Sequence, residues 1–499
     1  LTARSPAAMP IREDVMPVFL KRSDVWYLLG FIALSIVYAC FATQVPLNSD
    51  AASALLEARD IAAGNLLLSG WNLSTVSFYF TEVLPYAVLI KVFGWHLGWA
   101  YVVPGMLLAA VVVVAARLIV RKRGLAGLPS LVIVAAPGFF ASNLLLVPCI
   151  HMGAYLVTLL SWWLVETYEE HQGRWRLVLL TLCLGLALFS DDIVRYVLLL
   201  PLGAAVLIKV RRNPRLWWVI ASCMAAVLMA KLLALLVKTL GGFTTPGLPP
   251  LRFASYTTFW QNLELTLQGV LAYFDAEFFD QRIFSRGGIT KVFHAVVAFG
   301  FFGSLYWIAK QRRATDTLSL GCLLGTAILL GAYVLSNLPV NLMTTRYLVP
   351  VFILGAVVLG RHLLSQGSVV ALGSGVALAY AATILAVPKW DYATTNRNFP
   401  LAQALLENNL KDGYATFWNA GLNAVVSNIE ISPVTIGAEG AKPFDWLSKP
   451  AWAHNGGSFL ICDTEQQVIH AIHQLGVPEH QEKIDGKFLL IWKGPVSLH

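Results

Sequence analysis

The sequence predicts a polytopic α-helical membrane protein of about eleven transmembrane helices. Interfacial helices are expected in the first outside loop, and a small C-terminal α/β domain is expected outside. Three observations predict this class. The 499 residues are 57% hydrophobic and only 13% charged, about half the charge of a soluble domain. Apolar residues gather in runs that approach the about 20 residues a bilayer crossing needs. Lys and Arg recur in every second loop between those runs. Such a charge deficit excludes a disordered chain, a coiled coil and most cytosolic enzymes. The net charge of +8 implies no nucleic-acid partner, because the cations sit in short loops between apolar runs. Cys40, Cys149, Cys183, Cys223, Cys322 and Cys462 stand singly, without a disulfide framework or a metal-spaced pair.

Read against Gly, Pro and charge, the spans fall near 24–43, 97–117, 127–147, 152–168, 176–190, 193–209, 216–238, 291–309, 317–336, 347–360 and 368–388. With Lys21 and Arg22 inside, the later inside loops hold Arg121-Lys122-Arg123, Arg174 and Arg176, and the group Lys209, Arg211, Arg212 and Arg215. Lys310, Arg312 and Arg313 follow, and then Arg361. This alternation puts the N-terminus in the cytoplasm and the tail outside. The first span is too long for a removed signal peptide and reads as an uncleaved anchor. Met9 and Met16 lie close to Leu1, which leaves the translation start open. Residues 1–388 are thus the membrane domain, with long outside loops at 44–96 and 239–290, and 389–499 form the outside domain. Nearly all non-membrane mass lies on one face, so function is expected there.

In the first outside loop, Ala51, Ala54, Leu55, Ala58, Ile61 and Ala62 recur at helical spacing. Asn48, Ser49 and Asp50 supply N-cap chemistry, and Gly64-Asn65 a stop. An amphipathic interfacial helix follows, with Asp50, Glu57 and Asp60 on its polar face. The apolar stretch from Phe78 to Trp99, broken by Pro85 and Gly94, predicts a second interfacial helix. Loop 239–290 opens with Gly241-Gly242, Pro246, Pro249, Pro250 and Arg252. Its more helical, aromatic part holds Phe274, Asp275, Glu277, Asp280, Arg282 and Arg286, and so long a loop predicts a membrane-hugging lid. After Trp390 the composition becomes soluble. Strands are expected at Tyr414–Trp418, Val434–Ile436, Phe459–Cys462 and Phe488–Trp492, and helices at 400–410, 420–427 and 464–475. His470 and His473 share a helix face but lack a further ligand, and read as solvent-facing.

Charges at the outer mouth are the informative ones, because a charge inside a bilayer is costly. Asp50 is either a helix cap or a general base for a hydroxyl. Glu82, in Phe78-Tyr79-Phe80-Thr81-Glu82-Val83, either pairs with Lys91 or another cation, or faces a ligand. Asp191 and Arg195 are spaced for an ion pair, and Asp192 stands beside them. His151, in an outside turn, reads more readily as a hydrogen-bonding prop than as a ligand. Arg346 has no acidic residue within four positions, so an anion such as a lipid phosphate suits its guanidinium fork. Lys238, Arg252, Arg282 and Arg286 either join it or snorkel to headgroups.

Asn48-Ser49-Asp50, Trp71, Tyr79-Phe80-Thr81-Glu82-Val83-Leu84-Pro85, His151, Asp191-Asp192 and the Arg-Tyr-x-x-Pro run at Arg346 occur in an order that resembles a known family. It is the GT-C superfamily of membrane glycosyltransferases, in particular its aminoarabinose-transferase and protein-mannosyltransferase branch. The likeness covers the membrane body, and the C-terminal domain is compatible with it. It implies transfer, with inversion, from a polyprenyl-monophosphate sugar donor to a hydroxyl of an envelope glycan, lipid or protein acceptor. That work would take place on the periplasmic face of a bacterial inner membrane, among membrane lipids. Asp50 and Glu82 would then be catalytic, and Arg346, Tyr347, Arg282, Arg286 and Lys238 would hold the donor phosphate. His151, Asp191 and Asp192 would serve the sugar or acceptor, with loop 239–290 closing over them. A single Asp50 stands where many members have paired acids, so a divalent metal is left open and no other cofactor is implied. Thr81-Glu82-Val83 also lacks the Lys and second Pro often found there. Two other classes compete. A transporter or flippase should show repeats and broken midplane helices, and no repeat is visible. A non-catalytic scaffold of envelope glycan assembly would use the tail for docking and would need neither Asp50 nor Glu82.

Overall fold

Most of the chain folds as apolar helices, and a small sheet domain ends it. The computed structural model describes residues 22–247, 250–362, 367–386, 399–454 and 456–498. Met9, Met16, Lys21, Pro249, Trp390 and the expected domain boundary at 388 lie outside the described residues. In chain order, α1 (Arg22–Ala42) and α2 (Ser49–Ala62) precede a π-helical turn, Tyr79–Val83, that runs into α3 (Leu84–Phe93). Then come α4 (Trp99–Arg123), a 3-10 turn at Gly124–Leu131, α5 (Val132–Ala135), α6 (Phe139–Leu145), α7 (Met152–His171) and α8 (Arg174–Ser190). A π-turn at Arg195–Leu199 opens α9 (Leu200–Lys209), followed by α10 (Trp217–Thr239), α11 (Tyr256–Tyr273), α12 (Arg286–Lys310) and α13 (Thr317–Leu335). The 3-10 run Leu342–Leu348 continues into α14 (Val349–His362), and α15 (Gly367–Leu385) closes the body.

Among the described residues, seven helical runs are long and apolar enough to cross a membrane: 24–42, 99–135, 214–239, 286–310, 317–335, 342–362 and 367–385. The other expected spans take different forms. Residues 127–147 are not one helix, because Pro129 and Pro137 remove backbone donors and split the segment into the 3-10 turn, α5 and α6. Helix α7 carries Glu166, Glu169 and Glu170 in its last turns, α8 has 17 residues, and α9 has 10 beyond its π-turn. In the second long loop the helix is α11, earlier in the chain than the expected aromatic part at 274–286.

At one end of the bundle, Arg361 is fully buried. Its guanidinium reaches Glu166 at 2.6 Å, Asp316 at 3.1 Å, the Leu118 carbonyl at 2.7 Å and Ser319 Oγ at 3.0 Å. Four helices are thereby tied through one side chain, and every charge in the group has a partner.

The C-terminal domain comprises α16 (Pro400–Glu407), β1 (Asp412–Thr416), α17 (Phe417–Ser427), β2 (Glu430–Gly437), β3 (Gly440–Pro443), α18 (Pro450–His454), β4 (Gly457–Cys462), α19 (Glu465–Leu475), β5 (His480–Ile484) and β6 (Lys487–Val496). The sheet order is β3-β2-β1-β4-β6-β5, with β2, β1 and β4 parallel and the outer strands antiparallel. Tyr414, Leu460 and Leu490 fill its centre. The expected strands correspond to β1, β2, β4 and β6, whereas the edge strands β3 and β5 carry too few apolar residues to announce themselves. This domain docks through α17 onto α2. Gly421 is required there, since a Cβ would come within 2.9 Å of the Ser49 carbonyl oxygen. Below it, Asn72 exchanges backbone hydrogen bonds with Ser448, and Trp71 accepts one from Thr244 N. Both long loops and the C-terminal domain therefore meet at Trp71-Asn72.

Candidate active site

The site is built on α2. Asn48 caps this helix, its Oδ1 accepting from Ala51 N at 2.9 Å, so Asp50 is not the cap. Asp50 instead sits in the first turn, half-buried, with its carboxyl facing a cavity of about 430 Å³. Burial raises its carboxyl above the usual carboxylate range, and the positive charge of Arg346 acts against that rise. Ala54 and Glu57 follow on the same face. Glu57 is 3% exposed, and burial pushes its carboxyl up to about 8. The expected polar face of α2 is therefore turned towards an internal cavity rather than towards solvent. Asp60 leaves that face and is saturated by Lys449, Trp71 Nε1 and Asn65 Nδ2, each at 2.8 Å.

Opposite walls come from distant parts of the chain. Ser77 and Phe78, Cys149 and His151, Asp191 to Ile193, Tyr333, and Arg346 with Tyr347 all line the cavity. His151 sits in the left-handed region, φ 75°, at the start of α7. Its Nδ1 lies 2.6 Å from Asp191 Oδ2, and Asp191 Oδ1 accepts from Ile193 N at 3.1 Å. This overturns the expected Asp191–Arg195 pair: Arg195 binds Asp192 at 2.6 Å. Asp191, itself 1% exposed, orients the imidazole and leaves Nε2 as the nitrogen for a ligand.

Arg346 lies on the 3-10 run 342–348, which Asn341 caps by accepting from Thr344 N. Among the described residues no carboxylate lies within ion-pairing distance of Arg346; its company is Tyr347, whose ring centre is 5.2 Å from Cζ. Its Nε is buried without a hydrogen-bond partner.

Glu82 does not line the cavity. It is 1% exposed behind the 149–153 turn and accepts from Gly153 N at 3.5 Å. Burial, reinforced by the Asp191 charge, pushes its carboxyl up to about 8. Lys91 is not its partner, since that ammonium donates to the Ala62 carbonyl at 3.0 Å. Glu82 thus braces the turn that carries His151. Gly153 permits the close approach, because a Cβ would come within 2.0 Å of the Thr81 carbonyl oxygen. Lys238, Arg282 and Arg286 are exposed and contribute nothing to the cavity lining. Among the described residues, loop 239–290 reaches it only through Leu251, while Trp446 and Leu447 of the C-terminal domain also line it.

The cavity therefore gathers Asp50, His151, Asp191, Asp192, Arg346 and Tyr347, and adds Glu57, Trp446 and Leu447. Glu57 follows Asp50 by two helical turns, a spacing that could have found it. Nothing local marks Trp446. Among the described residues no group of three or more His, Cys, Asp or Glu could hold a metal ion. No family model matches the chain, and no curated protein matches it.

Proposed function

We propose that the protein is a membrane glycosyltransferase that moves a sugar from a polyprenyl-monophosphate donor to an acceptor hydroxyl. The acceptor is a glycan, lipid or protein of the cell envelope, reached at the outer face of a bacterial inner membrane. In this reading the 99–135 run contributes α4 as one span, and α7, α8, the 195–209 run and the broken 127–147 segment bring the seven long runs to eleven spans. The N-terminus is then cytoplasmic and the C-terminal domain periplasmic. One observation carries the proposal. Among the described residues, a single cavity holds an arginine with a buried, partnerless Nε and a carboxylate without a hydrogen bond, brought together from residues 50 and 346.

The chemistry follows from those two groups. Asp50 takes the proton from the acceptor hydroxyl as its oxygen bonds to the anomeric carbon. The bond from that carbon to the phosphate oxygen breaks, and the electron pair leaves on polyprenyl phosphate. Arg346 stabilises that charge through its guanidinium, an arrangement worth most in a site that excludes bulk water. Attack from the face opposite the phosphate inverts the anomeric centre. The His151–Asp191 pair holds a sugar or acceptor hydroxyl, Tyr347 and Phe78 supply apolar ring faces, and Glu82 positions His151. Lys238, Arg282 and Arg286 are assigned to lipid headgroups.

The test is release of polyprenyl phosphate by purified protein from a panel of polyprenyl-monophosphate sugars. Envelope extract serves as acceptor, with wild type beside Asp50→Asn and Arg346→Gln, with and without chelator. Release by wild type alone is expected. Absence of release from any donor by well-folded wild type overturns the proposal in favour of transport or scaffolding. Equal release by Asp50→Asn removes Asp50 as the base.

A further inference from the structure

A second cavity begins at Leu199, three residues beyond Tyr196 of the first, and is lined by apolar side chains and Cys223. Helices α9 and α10 are consecutive but lean on different partners, α9 on α13 and α10 on α8. They therefore diverge, and a groove of about 300 Å³ opens between them. Leu202, Gly203 and Val206 line one side, and Val219, Cys223 and Val227 the other. Gly203 is the key position, since a Cβ there would meet nothing within 4 Å. From Leu199 to Val206 the groove follows about 10 Å of helix, roughly two-thirds of the depth of one hydrocarbon leaflet.

The connection between the two helices lies beyond the Val206–Val219 end of this groove. It carries Arg211, Arg212 and Arg215, all exposed and, among the described residues, without an ion pair. The neighbouring charges are already engaged: Lys209 donates to the Thr315 carbonyl, and Glu169 accepts from Thr317 and Asn213. Trp217 and Trp218, 57% and 62% exposed, flank the same end, as aromatic residues do at a headgroup boundary. Guanidinium groups match phosphate oxygens in a bidentate fork, and the groove lining ends at Val206 and Val219, five residues before Arg211 and four after Arg215 in the chain.

We propose that this groove seats one anionic phospholipid of the leaflet bathing the α9–α10 connection. Its acyl chain lies against Gly203, and its phosphate is held by Arg211, Arg212 and Arg215. A soluble phosphate would satisfy the arginines but leave the groove empty; a zwitterionic lipid would fill the groove but carry no net charge to them. The site is separate from the transfer reaction and stands or falls independently of it.

Native mass spectrometry of the detergent-solubilised full chain tests this, using dioleoyl phosphatidylglycerol, dioleoyl phosphatidylcholine and inorganic phosphate as probes. Wild type should retain one phosphatidylglycerol with a preference of about tenfold over phosphatidylcholine, the size expected for a few screened cationic contacts. Gly203→Leu, whose Cβ meets nothing within 4 Å, projects its side chain from the groove wall and should lose the bound lipid while staying monodisperse. The exposed triple variant Arg211→Ala, Arg212→Ala, Arg215→Ala, which threatens the fold least, should bind both lipids equally. Equal retention of the two lipids by wild type, full retention by Gly203→Leu, or displacement by inorganic phosphate alone would each overturn the proposal.

Discussion

Arg346 and Arg361 stand at opposite ends of one helical run, 342–362, and their surroundings differ in kind. Arg361 is fully buried, and two carboxylates, a hydroxyl and a carbonyl accept from its guanidinium. Arg346 has a phenol beside it, a buried Nε with no partner and a cavity in front of it. A saturated charge group ties helices together, whereas an unsaturated one is left for something that enters from outside. The same contrast separates Asp60, held by three donors, from Asp50 and Glu57 on the same helix.

The comparison breaks most easily at Arg361. Replacing it with Met leaves the half-buried Glu166 and Asp316 with only the more distant Arg121 and Lys122, at a cost of about 2–3 kcal/mol. Thermal unfolding in detergent should show a large fall in midpoint. The matching change at the other end, Arg346→Gln, should leave that midpoint almost unmoved. It should slow release of polyprenyl phosphate about a hundredfold to a thousandfold, as expected for loss of one preorganised charge donor. Comparable destabilisation by the two variants would erase the distinction.

A smaller effect is expected from Asp191→Asn, which weakens the grip on His151 Nδ1 and should cost about a hundredfold in turnover through misorientation. Arg195→Ala, removing only the pair with Asp192 at the surface, should change turnover little and sharpen that assignment. The raised carboxyl of Glu57 makes a further test. Its native value is about 8 against an ordinary 4.5, so above the lower value the folded protein keeps a proton that the unfolded chain releases. Stability should therefore fall as pH rises from about 4.5 to about 8 and then level off. Glu57→Gln should flatten part of that slope, and Glu82 should account for another part by the same reasoning. The smallest effect belongs to Lys449→Met, which removes the partly exposed ion pair to Asp60 at a cost of about 1 kcal/mol or less.

Local chemistry made much of this legible. The spacing of Ala51, Leu55 and Ala58 marked α2, and Gly64 with φ 114° ended it as expected. Asp50, His151 and Arg346 stood out as polar groups at the outer mouth, Arg346 with no acidic residue within four positions. Partners across the fold were not legible. Asp191 was within reach of Arg195 along the helix, yet His151, 40 residues earlier, takes it at 2.6 Å. Glu82 had Lys91 nearby but turns to the backbone of residue 153 instead. Trp446 comes to the cavity because α17 docks on α2, and no periodicity encodes a docking of that kind.

By itself, the sequence determined where apolar surface must be hidden from water, and hence the helical body, helix α2 and the alternating end domain. Those outcomes depend on residues within a few turns of one another. Only the tertiary structure decided which charges are satisfied. Pairing depends on distances between side chains hundreds of residues apart, and burial then sets how costly an unpaired group becomes. Arg361 and Arg346 look alike in the chain, and their neighbours in space make one a staple and the other a site.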